Sequence, residues 1–207
     1  RRLGIQTLFM QFIDISHDQK KRYTLKENEQ CVFFLFNRSG DIAFELEGDR
    51  SEAHIIALFL PDGGSRIESR ISQIHSGADT RSSFTGRSLL TSQTGCDWQG
   101  LLSIKRSAVR SDAHQEMKHL LLSPDAEARS LPALEIEQDD VRCGHAATMS
   151  APDPEQIFFL ESRGLTRAQA EAAIARGFAS HLTESITRHT GTDCVLPDIL
   201  HTFSSRL

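Results

Sequence analysis

The sequence predicts a mainly β protein that ends in a small α-helical domain. Between about residue 25 and residue 150, short apolar runs alternate with turn-forming segments, as in a succession of β-strands. At residues 151–154 (Ala-Pro-Asp-Pro) this pattern stops, and apolar residues then recur at the spacing of amphipathic helices. We therefore predict a β core over residues 1–150 and a C-terminal helical domain over residues 151–207.

The predicted strands lie where β-branched and aromatic residues concentrate. They cover residues 32–36, 42–46, 54–60, 65–74, 82–90, 100–105, 117–122 and 134–136. In the second strand, Ile42, Phe44 and Leu46 occupy one face and alternate with Ala and Glu on the other. Residues 37–41 (Asn-Arg-Ser-Gly-Asp) are turn formers and predict a hairpin-like reversal between the first two strands.

A loose repeat favours a β-solenoid for the core. Residues 104–108, 122–126 and 142–146 each run from a strand end into an alanine, at steps of 18 and 20 residues. A period of this size suits one coil of a solenoid, in which inward apolar residues stack on the coil below. On pattern alone, a β-sandwich with similar loop spacing is the alternative.

Two helices are predicted in the C-terminal domain. Asp153 is a suitable N-cap, Pro154 suits the first helical position, and Gln156 falls where a capping-box partner belongs. This helix is expected to end at Gly164. Thr166 caps the second helix, which Gly177 is expected to divide. Its apolar stripe consists of Ala170, Ile174, Phe178, Leu182 and Ile186. A last short amphipathic segment is predicted at residues 196–203.

Composition limits the possible functions. The 207 residues carry a net charge of −5, which does not suit nucleic-acid binding because phosphate contacts need a basic surface. The apolar runs are too short to cross a bilayer, and no signal peptide is evident. Four isolated cysteines include no Cys-x-x-Cys pair that would predict a preformed metal site. We expect a cytoplasmic protein with reduced thiols that binds neither nucleic acid nor membrane.

No local motif predicts an enzyme. The chain has no P-loop, dinucleotide-binding glycine motif, zinc-protease helix or nucleophile elbow. A solenoid enzyme that acts on polysaccharide would need aromatic platforms, and the chain has one Trp and one Tyr. One cluster of seven residues contains two carboxylates, a thiol and an imidazole, from Asp139, Asp140, Cys143 and His145. By residue type alone, a polar turn between coils is the simpler interpretation of that cluster.

Around this cluster the sequence resembles the SufB/SufD family of iron–sulfur cluster assembly proteins. Residues 131–148 follow the family pattern P-x-L-E-I leading into D-D-V-x-C-x-H-x-A-T, and residues 155–165 follow E-Q-x-F-Y-L-x-S-R-G-[I/L]. Upstream, residues 84–87, 98–104 and 120–123 match the family's Gly-Arg, W-x-G and L-L-L-S elements. The resemblance covers residues 70–180 closely and the flanks loosely.

The resemblance implies a right-handed parallel β-helix core followed by helices. In this family SufB and SufD pair, and each docks one SufC ATPase through its C-terminal helices. The complex builds a cluster from iron and from sulfur delivered as persulfide. A non-ATPase subunit is therefore expected, with the iron–sulfur cluster as transient cargo rather than a stable cofactor. Longer members carry an N-terminal helical region, which this chain is expected to lack.

Within the family the chain fits SufD better than SufB. SufB has Cys and Glu at the positions of Ile136 and Ala146, whose alkyl side chains offer iron no lone pair. The remaining candidate metal ligand is His145, which matches a SufD histidine at the heterodimer interface; Cys143 is a second candidate for the site. The expected ATPase-docking residues on the C-terminal helices are Ile157, Phe158, Leu160, Arg163, Ile174 and Phe178.

Two alternatives remain open at this point. One is a homodimeric SufB/D-like scaffold that itself holds the nascent cluster, and the missing Cys and Glu argue against it. The other is a passive structural β-solenoid without any metal. The partner of the chain is thus expected to be a SufB-like subunit or a second copy of itself, together with a SufC-like ATPase.

Overall fold

The computed structural model describes residues 9–191 and contains, within that range, eleven β-strands followed by two α-helices. The strands are β1 (Gln11–Asp14), β2 (Arg22–Leu25), β3 (Gln30–Phe36), β4 (Gly40–Leu46), β5 (Glu52–Phe59), β6 (Arg66–His75), β7 (Arg81–Leu90), β8 (Gly95–Ile104), β9 (Asp112–Leu121), β10 (Glu127–Ile136) and β11 (Arg142–Ser150). The helices are α1 (Pro154–Glu161) and α2 (Arg167–Thr190).

The strands form two parallel sheets between which the chain alternates. Odd-numbered strands form one sheet in the order β1-β3-β5-β7-β9-β11, and even-numbered strands form the other in the order β10-β8-β6-β4-β2. Every pairing is parallel. Each coil therefore adds one strand to each sheet, which confirms the β-solenoid and excludes the antiparallel sandwich.

Over residues 52–142 the coil is longer than the predicted repeat. Glu52, Arg81, Asp112 and Arg142 are successive partners in one sheet, so the steps are 29 (52 to 81), 31 (81 to 112) and 30 (112 to 142) residues. The predicted steps of 18 and 20 residues are wrong, because they join the ends of β8 and β9 to the beginning of β11. These places are not equivalent in the coil.

The predicted hairpin at residues 37–41 is also wrong. β3 and β4 belong to different sheets, and the segment between them is a corner of the coil. Asn37 takes a left-handed backbone conformation there (φ 48°). Its side-chain amide donates to the carbonyl of Leu60 at 2.9 Å and accepts from the Leu60 N–H at 2.6 Å. The turn formers thus tie one coil to the next.

The solenoid interior changes in character along the molecule. In the first coils it is aromatic and aliphatic: the rings of Phe33 and Phe44 lie 4.9 Å apart, and both are buried. Farther along, polar side chains replace apolar ones at inward positions. The fully or nearly fully buried members of this polar set are Ser69, Gln73, His75, Ser82, Ser88, Gln115 and His119.

Helix α2 covers the outer face of the odd-strand sheet. Ala175, Ala179, Leu182 and Ile186 of the helix pack there against apolar residues of the sheet and its corner. These residues are Val32, Phe34, Ile56, Leu58, Leu60, Leu89 and Leu120. β3 and β5 are accordingly apolar on both faces, as buried parallel strands usually are. The helix runs unbroken for 24 residues, so the predicted division at Gly177 is wrong. Gly177 lies on the exposed side, and the apolar packing of α2 offsets its cost of about 1 kcal/mol.

Both helices begin at the predicted caps. The Asp153 carboxylate accepts from the backbone N–H of Glu155, and Pro154 opens α1. The full capping box is found at α2, between Thr166 and Gln169. Neither helix is long and apolar enough to span a membrane. The amphipathic segment predicted at residues 196–203 lies outside the described residues.

Candidate functional site

One end of the solenoid is open. β10 is paired only with β8, and β11 only with β9, within residues 9–191. Each strand therefore presents an edge of backbone N–H and C=O groups, which is a template for pairing with another chain. Large apolar side chains are exposed around this end: Leu131, Leu134, Ile136 and Met149.

His145 and Cys143 lie on the open edge strand β11, so the interpretation of their segment as a turn is wrong. Only the preceding residues 137–141, which join β10 to β11, lie outside the strands. In the register of the sheet, Cys143 is opposite Ala113 and His145 is opposite Gln115. Ala113 and Gln115 are buried and face the interior. Residues paired in register face the same side of a sheet. The side chains of His145 and Cys143 therefore point into the interior of the solenoid (the lumen), at its open end (the mouth).

The two side chains differ in environment. His145 is exposed, so its nitrogens are accessible to a ligand. Cys143 is half-buried against Leu102, Ile104 and Ala108, and this burial raises the pKa of its thiol. A thiol must lose its proton to bind a metal. His145 is therefore the better donor of the two.

The neighbouring carboxylates do not join His145. Asp139 and Asp140 line a cleft on the corner of the solenoid together with Arg110 and Arg142. Within residues 9–191, no three His, Cys, Asp or Glu side chains converge on a point that could hold a metal ion. A metal ion at His145 would therefore need its other ligands from outside these residues.

Sequence reasoning missed the two buried histidines below the mouth. The imidazole of His75 is hydrogen-bonded to the hydroxyls of Thr80 and Ser82, both at 2.7 Å. That of His119 is hydrogen-bonded to Ser88 at 2.6 Å and Ser130 at 2.7 Å. Burial lowers the pKa of each histidine to about 4, so both are neutral. The signal was present for His75, which continues the two-residue alternation of Ile67 and Ile71.

The residues predicted to dock an ATPase divide into two groups. On α1, Phe158 is 72% exposed, Leu160 is half-buried, and Arg163 just beyond the helix lies exposed. Ile157 is buried. On α2, Ile174 and Phe178 are half-buried against the apolar cluster between helix and sheet.

Two further contacts define these surfaces. The guanidinium of Arg87, itself buried, lies 5.6 Å from the ring centre of Phe178 and pairs with Glu116 at 2.7 Å. Phe159, which was not among the predicted docking residues, is 56% exposed. The guanidinium of Arg163 lies over its ring, 4.8 Å from the ring centre. The adjacent pair Phe158-Phe159 was the available signal for an exposed aromatic surface.

The fold and the site together define a β-solenoid with unpaired strand edges and an accessible histidine at one end. Such a molecule is suited to assembly with other proteins. The family model described as "SUF system FeS cluster assembly, SufBD core domain" matches residues 17–178. The chain belongs to this SufBD family.

Curated relatives agree with the family. The iron–sulfur cluster assembly protein SufD of Escherichia coli is 31% identical over 142 residues, which are 69% of this chain and 34% of that protein. A SufBD family protein of Mycobacterium tuberculosis is 31% identical over 147 residues, which are 67% of this chain and 37% of that protein. The chain thus spans about a third of the length of these two relatives.

Proposed function

We propose that the protein is a SufD-like, non-ATPase subunit of an iron–sulfur cluster assembly complex. It pairs with a SufB-like scaffold, binds a SufC-like ATPase and handles the cluster only as transient cargo. The observation that carries this proposal is the position of His145 on the free edge strand β11, at the mouth of the lumen. An imidazole placed there contributes one ligand to a site that a partner completes.

The open end supports pairing with another solenoid. Its strand edges are suited to β-augmentation, in which main-chain hydrogen bonds supply affinity and side chains supply specificity. Leu131, Leu134, Ile136 and Met149 would be removed from water in the same contact. A second copy of the chain would meet the same edges, but it would bring Ile136 and Ala146 where a scaffold needs donors.

The ATPase-docking surface is assigned to α1. Phe158 and Phe159 form an exposed aromatic pair, and Leu160 lies beside them. Ile174 and Phe178 contribute indirectly, because they hold α2 against the sheet and so fix the base on which α1 rests. α1 and α2 are also in direct contact.

The cargo role is tested with two exposed histidines on adjacent strands. His145→Ala removes the donor at the mouth, and His114→Ala is the matched control on the outer face of β9, where His114 pairs with Asp112. The variants are co-expressed with the SufB-like and SufC-like partners, and the purified complexes receive iron and sulfide without oxygen. We expect a normal complex in both cases and loss of most cluster absorbance only with His145→Ala. Equal yields from the two variants would contradict the cargo role.

A further inference from the structure

A buried glutamine lies directly beneath His145. Gln115 on β9 is the in-register partner of His145 and is 2% exposed. Its amide Nε2 donates to the backbone carbonyl of Leu101 at 3.1 Å, across the lumen. Its Oε1 is buried and has no hydrogen-bond partner. Leaving a buried amide oxygen without a hydrogen bond costs about 1–3 kcal/mol of stability. A hydrogen-bond donor to Oε1 would remove that cost.

The orientation of this amide is fixed. A 180° flip of the amide would bring Oε1 against the Leu101 carbonyl oxygen, and two acceptors would then face each other. Nε2 must therefore be the atom that faces Leu101. Gly100 provides the space that Oε1 occupies, since a Cβ at Gly100 would lie 2.5 Å from it. The acceptor is therefore held in one place, below the mouth of the lumen.

We propose that Gln115 is a positioning residue for His145: its Oε1 accepts the N–H of one imidazole nitrogen and directs the lone pair of the other out of the open end. Adjacent strands lie about 4.8 Å apart, so a tilt of the ring brings a nitrogen to the hydrogen-bonding distance of about 2.9 Å. A histidine that binds metal commonly donates its second N–H to a fixed acceptor in this way. The inference rests on the proposed role of His145 as a donor to the cargo.

The indole N–H of Trp98 is the competing donor. It too is buried without a partner, and the Trp98 ring approaches Gly100 from the same side as the Gln115 amide. If the indole rather than His145 supplied the hydrogen bond, removal of Oε1 would leave the imidazole unaffected. The two assignments therefore give different results for the same substitution.

The test measures the tautomers of His145 directly. The full chain, labelled with nitrogen-15 in histidine, is examined by two-bond nitrogen–proton correlation spectra at pH 8.5. We expect one dominant tautomer of His145 in the unaltered protein. In Gln115→Met the ratio of the two His145 tautomers should change by about fivefold to tenfold. Gln115→Glu retains an acceptor and should keep the dominant tautomer.

Gln73→Met is the matched control. Gln73 is likewise a buried glutamine whose Oε1 lacks a partner, but it lies on β6, which is not adjacent to β11. This variant should leave the His145 tautomers unchanged. The signal of His119, whose hydrogen bonds to Ser88 and Ser130 involve neither glutamine, reports whether each variant is folded.

An unchanged ratio of the His145 tautomers in folded Gln115→Met would overturn the inference. Gln115 Oε1 would then accept from the Trp98 indole or from no donor. This outcome is separate from the cargo role. Gln115 can fix the tautomer even if His145→Ala assembles clusters normally, in which case the proposed function fails and the positioning contact stands.

Discussion

The first and last coils of the solenoid are built differently. The first coils enclose a continuous apolar interior, where the ring centres of Phe44 and Tyr23 lie 5.4 Å apart and Leu46 and Ile55 are fully buried. The last coil, β10 and β11, leaves its inward side chains open at the mouth, and the coil beneath it buries polar groups. The first region stabilises the fold, whereas the second is held in place by it and presents His145.

The largest effect is expected from the closed region. Phe44→Ala should lower the free energy of unfolding by about 3–5 kcal/mol, because it empties a fully buried aromatic site. Phe158→Ala is the matched control on α1: the same substitution at an exposed position should change stability by less than about 0.5 kcal/mol. Urea titrations monitored by circular dichroism measure both. Similar losses for the two variants would mean that the coils do not form one packed interior.

The polar coils should make stability depend on pH. The pKa values of His75 and His119 are about 4 in the folded protein, against about 6.5 when unfolded. Their contribution is therefore complete above pH 6.5 and is lost as the pH falls toward 4, because the unfolded chain takes up the protons. Between pH 7 and pH 5 the loss should be about 2 kcal/mol for each histidine.

Two variants separate this pH effect from others. His75→Gln should reduce the difference in unfolding free energy between pH 7 and pH 5 by about half. Phe158→Ala should leave that difference unchanged, since Phe158 is exposed and carries no titratable group. A pH dependence that survives His75→Gln in full would show that other groups cause it.

The smallest effect is expected on the outer surface. Arg66 reaches over Gly95, whose missing side chain leaves room for the guanidinium, to pair with Asp97 and Glu127 on the next two coils. These pairs are largely solvent-exposed, so Arg66→Ala should cost no more than about 1 kcal/mol, and less in 1 M salt. A larger, salt-independent loss would mean that the last coil depends on this bridge.

The solenoid class, the helix caps and part of the strand alternation were predictable from the sequence, whereas the coil length and the register were not. The caps Asp153 and Thr166 and the alternation in β4 follow from neighbouring residues, so sequence alone located them. The coil length did not follow, because the stacked left-handed corner residues include Arg50 and Arg110, and arginine is not a turn signal. Family resemblance singled out His145, but its orientation into the lumen depends on a register set thirty residues earlier, at Asp112.

The central claim is that the open end and α1 are separate partner surfaces. Leu134→Asp places a charge among the exposed apolar residues at the open end, and Phe158→Asp places one on α1. Each variant is co-expressed with the SufB-like and SufC-like proteins, and the composition of the purified complex is measured by native mass spectrometry. We predict that Leu134→Asp loses the SufB-like subunit and keeps the ATPase, whereas Phe158→Asp does the reverse. Retention of both partners by both variants, or loss of the same partner from both, would contradict the account.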